Sequence, residues 1–252
     1  MLTMTDSLIY ALDFDGVICD SAIETALSGW KAAHTLWPDM APGAPTEHVE
    51  RFRQVRPIIE TGYEAILTMR LLHLGKSVAE IYGQHKTDFE KLMQEASIDG
   101  TYLKALFGET RDRWITNDQA EWVSKNPLYP GVVEKLKRLG EHQAWYVITT
   151  KQERFVQEIF RANGIELADE RVFGLDRQLS KVEVLERLLP QHPEQRLCFV
   201  EDRLPTLINV AAEASLSAVE LRFALWGYNT EDDKQQAQER GFNCQTLSAF
   251  LG

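Results

Sequence analysis

A five-residue apolar run, Leu8-Ile9-Tyr10-Ala11-Leu12, breaks off in Asp13-Phe14-Asp15-Gly16, and the next strand-like run, 144–149, begins more than 100 residues later. Between them the apolar spacing is helical, over 22–34, 46–55, 57–73, 77–96 and a shorter stretch near 101–114. Pro57 suits a first helical position, and Ser77 with Glu80 forms a capping box. Beyond the hinge-like stretch Asn126-Pro127-Leu128-Tyr129-Pro130-Gly131 the texture changes. Helices at 132–139, 153–163, 181–189, 205–214 and 231–240 alternate with strands at 144–149, 171–174, 197–200 and near 218–221. Such alternation predicts an α/β fold with a parallel sheet and helices on both of its faces. A βαβ unit takes roughly 30 residues, whereas 136 positions separate Asp13 from Thr149. The helical stretch is therefore an insertion after the first strand. The predicted division is a discontinuous core, 1–20 with 127–252, and an all-helical subdomain, 21–126.

Composition narrows the partners. With 44% hydrophobic and 26% charged residues, the 252-residue chain can bury a sizeable core. Thirty-eight acids against 27 Lys and Arg give a net charge of −11, so a nucleic acid or an anionic membrane would meet a repulsive field. A small molecule is the expected partner, with no nucleic acid and no membrane. Three cysteines without a Cys/His cluster suggest reduced thiols in the cytoplasm rather than disulfides or zinc. No apolar run reaches the roughly 18 residues of a membrane helix, and the first seven residues lack signal-peptide features.

Four places carry candidate chemistry. Asp13 and Asp15, two apart at a strand's end, point the same way, and Gly16 permits a sharp departure that leaves both near an open edge. Paired acids there suit a nucleophile with an acid/base partner or a divalent metal, and a plain turn is the alternative. Thr149 and Thr150 close the second strand ahead of a helix, where a hydroxyl and free amides hold phosphate oxygens or cap the helix. Lys181 opens a helix, where the dipole disfavours a cation unless an anion lies near. Glu201 and Asp202 end another apolar strand and are oxygen ligands of the kind Mg²⁺ takes, or helix caps ahead of Pro205. All four places fall at or just beyond strand ends of one sheet and converge on one edge.

In that order and placement the chain resembles the haloacid dehalogenase-like (HAD) hydrolase superfamily over almost its whole length. Leu12-Asp13-Phe14-Asp15-Gly16-Val17 is similar to the first motif, whose first Asp is nucleophile and second general acid/base; Ile148-Thr149-Thr150 is similar to the second, Lys181 to the third-motif lysine, and Phe199-Val200-Glu201-Asp202 to the fourth. Leu128-Tyr129-Pro130-Gly131-Val132 and Leu225-Trp226-Gly227-Tyr228 resemble segments of the phosphoglycolate-phosphatase-like branch, whose mobile helical cap is inserted after the first strand. One departure is that Glu201 precedes Asp202 where many relatives have Gly, and Thr206 stands where they have an acid.

The resemblance implies a Rossmann-like core with a helical cap and a cytoplasmic, Mg²⁺-dependent phosphatase, monomeric or homodimeric. Its substrate would be a small phosphorylated metabolite, hydrolysed through an aspartyl-phosphate. Asp13, Asp15, Asp202 and Glu201 would serve the metal, while Gly16, Thr149, Thr150 and Lys181 would serve the phosphate. The acid at position 15 favours phosphoryl transfer over dehalogenation. In the cap, Arg51, Arg53 and Arg56 are candidates for a second anionic group of the substrate, set against helix-surface ion pairing of Arg56, Glu60 and Glu64 at fourfold spacing. The tryptophans read as core, and His34, His48, His73 and His85 share no metal spacing. The rival readings are a HAD phosphomutase, a phosphonate-cleaving relative, a receiver-like signalling domain, and a HAD-fold binding protein without turnover.

Overall fold

The computed structural model describes residues 8–252; Met1 to Ser7, read above as lacking signal-peptide features, lies outside the described residues. In chain order the elements are β1 (Leu8–Leu12), α1 (Ala22–Leu36), α2 (Thr46–Val55), α3 (Glu64–His73), α4 (Val78–Ala96), α5 (Gly100–Ser124), α6 (Val132–His142), β2 (Trp145–Ile148), α7 (Glu153–Ala162), β3 (Val172–Phe173), α8 (Lys181–Leu188), β4 (Arg196–Glu201), α9 (Leu204–Ala211), β5 (Glu220–Ala224), α10 (Glu231–Glu239), β6 (Asn243–Gln245) and α11 (Leu247–Leu251). Contacts divide the described chain into two units, 8–20 with Leu128–Gly252, and Ser21–Pro127.

The first unit is a Rossmann-like α/β fold. Its six strands form one parallel sheet in the order β3-β2-β1-β4-β5-β6. On one face Ile9, Ala11, Ile148, Leu197 and Phe199 pack with Val184, Leu185 and Leu188 of α8 and with Leu204, Leu207 and Val210 of α9. On the other, Tyr10 meets Phe250 of α11 edge-on at 6.1 Å, and Trp145 meets Phe160 of α7 at 5.9 Å. Burial on both faces is why these strands are short, nearly continuous apolar runs, and each fully buried Leu or Phe contributes about 1.5–3 kcal/mol. Strand order reverses at β1, which sits between β2 and β4. In open α/β sheets ligands bind beyond the carboxyl ends of the strands at such a point.

The second unit is all-helical. Trp30, Phe52, Ile66, Met69, Phe89, Leu103 and Phe107 belong to one apolar cluster, and Trp30, Trp114 and Trp122 are buried as core. Among them Glu24, fully buried, accepts from Arg111 at 2.8 and 2.6 Å, from Ser28 at 2.5 Å and from Trp122 at 3.2 Å. The predicted capping box stands at the start of α4, where Ser77 and Glu80 exchange hydrogen bonds. Among the described residues no helix is long and apolar enough to cross a membrane.

Local chemistry displaces several predicted boundaries. The single helix expected over 57–73 is a 3-10 turn, Arg56–Ile58, and then α3, because Ile59 is extended and the Glu64 carboxylate takes the amides of Glu60 (2.6 Å) and Thr61 (3.0 Å). The stretch near 101–114 lengthens into α5, which kinks at Asp118 (φ −156°, ψ 82°) as its carboxylate caps the next turn through the Glu121 amide. The strand near 218–221 lies at Glu220–Ala224, since the 3-10 turn Ala214–Leu216 follows α9. The sequence analysis missed β6 and α11, the first being three residues long with a largely polar sequence.

Candidate active site

Beyond the last residue of β1 the ladder continues for one bond, as the Asp13 amide donates to the Val200 carbonyl at 3.0 Å. That bond holds the buried Asp13 side chain beside the end of β4. The backbone then turns through Gly16 at φ +93°. A Cβ there would stand 2.0 Å from Asp202 Oδ2, so only glycine lets this turn lie against that carboxylate.

Four carboxylates and two lysines gather here. Lys181, the first residue of α8, is delivered by a capping box in which Ser180 and Glu183 exchange hydrogen bonds. Its Nζ donates to Asp13 Oδ1 at 2.8 Å and to Glu201 Oε2 at 2.6 Å. Burial alone would lower the Lys181 pKa, but Asp13 and Glu201 carry it above the ordinary lysine value. Glu201, the last residue of β4, also accepts the amides of Asp202 (3.1 Å) and Arg203 (3.0 Å) at Oε1. Both of its oxygens are engaged, one of them by the lysine. Asp202 is fully buried, and its Oδ2 accepts the Tyr228 amide at 2.6 Å. Burial pushes the Asp13 carboxyl up to about 7; Lys181 pulls it down, and Glu201 and Asp15 add to the rise.

Lys151 is the functional candidate that the sequence analysis left unassigned. Its side chain is buried, and Nζ donates to Asp15 Oδ1 at 3.0 Å. Nothing in the spacing singled it out, because a lysine after a strand reads as surface until the fold closes over it. The Thr149 hydroxyl, buried one residue beyond β2, accepts the Lys151 amide at 3.1 Å. Neither threonine caps α7, whose cap position is Gln152. Thr150 is exposed.

Carboxylate oxygens of Asp13, Glu201 and Asp202 all lie within 4.8 Å of one another, the one such metal-capable group among the described residues. Hard oxygen donors, buried and in excess of the local positive charge, fit a small divalent cation such as Mg²⁺. They do not fit a soft, thiophilic metal. The expected cap arginines belong to the second unit: Arg51 donates to the Lys76 carbonyl and lies 3.9 Å from Glu47, Arg53 is exposed on α2, and buried Arg56 donates to the Ile59 carbonyl at 3.1 Å.

Comparison with known proteins bears on the fold and the family. The fold is similar to a solved structure from Haemophilus somnus 129pt described as a predicted phosphoglycolate phosphatase (TM-score 0.60, 20% identity, 100% of this chain and 97% of that one). It is similar too to one described as a predicted phosphatase from Clostridium acetobutylicum (0.56, 16%, 95% and 93%) and to a haloacid dehalogenase-like family hydrolase from Streptococcus pneumoniae (0.55, 14%, 96% and 93%). No curated protein matches the sequence significantly. The family profile for haloacid dehalogenase-like hydrolases matches residues 9–213, four-fifths of the chain and every site position from Asp13 to Asp202, so the protein belongs to the haloacid dehalogenase-like hydrolase family.

Proposed function

We propose that the protein is a cytoplasmic, Mg²⁺-dependent phosphatase that hydrolyses a small phosphomonoester through an aspartyl-phosphate on Asp13, with the helical unit 21–126 as its cap. The observation that carries this reading is a buried carboxylate on Lys181, with two more acids within 4.8 Å and a second aspartate, Asp15, two residues on. The descriptions of two solved neighbours as phosphatases point the same way.

In this reading Asp13 attacks phosphorus, and Asp15 gives its proton to the leaving oxygen and later takes one from the attacking water, dividing one difficult step into two. Thr149, the Thr150 amide and Lys181 hold the phosphoryl oxygens over which transition-state charge spreads. Asp13, the Asp15 carbonyl and Asp202 would hold the metal. Glu201 joins them through its charge and fixes Lys181. When bound, the metal supplies Lewis-acid polarisation and lowers the repulsion between a carboxylate nucleophile and an anionic ester. Arg51, Arg53 and Arg56 are the cap's candidates for further substrate contacts.

The test is a phosphate-release screen over many phosphomonoesters, with Mg²⁺ and with chelator, for wild type and Asp13→Asn. Mg²⁺-dependent release by wild type alone is the expected result. Turnover that survives in Asp13→Asn, or no ester hydrolysed with metal present, would overturn the reading.

A further inference from the structure

The loop after β5, residues 226–229, is fastened on both sides. Toward the carboxylates, the Tyr228 amide donates to Asp202 Oδ2 at 2.6 Å, and Asn229 Nδ2 donates to the Asp202 carbonyl at 3.2 Å. The approach leaves no slack, since a Cβ on Gly227 would stand 2.3 Å from Asp202 Cβ and 2.5 Å from the Gly16 carbonyl oxygen. On the other side, Trp226 Nε1 donates to the Val17 carbonyl at 3.1 Å, and the Tyr228 hydroxyl donates to Asp20 Oδ1 at 2.9 Å. Asp20 is where the first unit's chain ends and the second unit begins.

The segment that reaches Asp20 is itself tightly bonded. The amides of Ile18 and Cys19 both donate to the Phe14 carbonyl at 2.9 Å, and Gly16 donates to the Cys19 carbonyl at 2.9 Å. The returning chain joins it, as Tyr129 donates to the Ile18 carbonyl at 3.0 Å and Leu128 bridges Cys19. Both crossings between the units, at 20/21 and at 127/128, thus run through one hydrogen-bonded patch. Tyr228 ties that patch to Asp202.

We propose that Tyr228 is a positioning residue that couples cation binding at Asp202 to the conformation of the crossings between the two units. The proposal rests on the reading of Asp202 as a metal ligand given above. A cation that engages this carboxylate competes with the Tyr228 amide for its charge, so the amide bond and the cation set each other's strength. With Gly227 packed against Asp202 and Gly16, an adjustment of the carboxylate moves the loop as a body. The hydroxyl on Asp20 carries that movement to the crossing. Coupling is reciprocal: whatever occupancy does to the crossing, the crossing does to affinity.

Mg²⁺ titration by calorimetry and hydrogen exchange of the Ile18, Cys19 and Tyr129 amides, on the full chain with and without Mg²⁺, test the coupling. In wild type Mg²⁺ is expected to slow exchange at these three amides roughly tenfold, in line with ordinary coupling strengths. Tyr228→Phe, which keeps the ring and the backbone amide, should still bind Mg²⁺, about three- to tenfold more weakly, and lose the exchange response. Asp20→Ala should reproduce that loss, while Asp20→Asn, whose amide oxygen still accepts from the hydroxyl, should retain the response. Equal protection in Tyr228→Phe and wild type overturns the proposal. Mg²⁺ binding to wild type without any change at the three amides overturns the coupling and leaves the metal reading standing; no Mg²⁺ binding at all overturns both.

Discussion

At the scale of single residues the site is a charge imbalance. Asp13 and Glu201 share Lys181, Asp15 accepts from Lys151, and Asp202 stands beside the first two. The Asp13 carboxyl rises from an ordinary 3.8 to about 7, chiefly through burial, with Lys181 pulling it down and Glu201 and Asp15 adding to the rise. A carboxyl raised in the folded state binds more protons there than in the unfolded chain, so the stability it contributes is present below 3.8 and is lost as pH rises through about 7. Metal-free Asp13→Asn should therefore melt above wild type at pH 8, by a few degrees if the difference is ~1 kcal/mol in a chain this size. The gap should close toward pH 4. Thermal melts in chelator across that range check this, and a variant less stable than wild type at pH 8 would contradict it. Lys151 makes a second prediction. If it holds Asp15 for proton transfer, Lys151→Met should lower kcat on alkyl phosphates about 10- to 100-fold and affect p-nitrophenyl phosphate much less, because that leaving group needs no proton. Equal losses on both would assign Lys151 to phosphate binding instead. The acids were legible because each interrupts an apolar run at a strand's end. Lys151 and Tyr228 were not, because their roles depend on partners 136 and 208 positions away.

At the scale of elements, α8 shows how local sequence delivers a lysine to the carboxylate cluster. Its first turn would repel Lys181 through the helix dipole, and the compensating anions come from two other strands' ends while Ser180 and Glu183 fix the start of the helix. Ser180→Ala should cost about 1 kcal/mol, lowering Tm by roughly 2–4 °C, and leave kcat within about twofold, since both anchors of Lys181 remain. A large fall in kcat with unchanged Tm would mean the cap positions the lysine rather than stabilising the helix. Amphipathic helices such as α2 and α8 and the buried strands β1 and β4 announce themselves by periodicity. The break at Ile59 and the kink at Asp118 do not. In each a carboxylate captures backbone amides that a helix would otherwise use, and that competition is decided by single side chains rather than by pattern. The short strand β6 stands beside β5 without an apolar signal of its own.

For the whole molecule the proposed function raises the question of how a chain of net charge −11 would take an anion. Charges farther off than a Debye length, about 8 Å at physiological ionic strength, are screened, so the balance within the site decides. There four carboxylates outweigh two lysines, and in the proposed reading an incoming phosphate dianion would meet net negative charge. In the proposed reading a divalent cation on Asp13 and Asp202 would neutralise that excess locally without altering the surface that keeps the protein acidic. Binding should accordingly be ordered. Inorganic phosphate titrated calorimetrically into the protein with saturating Mg²⁺ should give a measurable isotherm, and in chelator the affinity should fall by at least about tenfold, ~1.4 kcal/mol. Asp202→Asn, which removes a ligand but leaves both lysines, should bind phosphate weakly in either condition. If phosphate binds equally well in chelator, the lysines and backbone amides alone overcome the carboxylates, and the metal's part would then be confined to the reaction rather than to capture of the substrate.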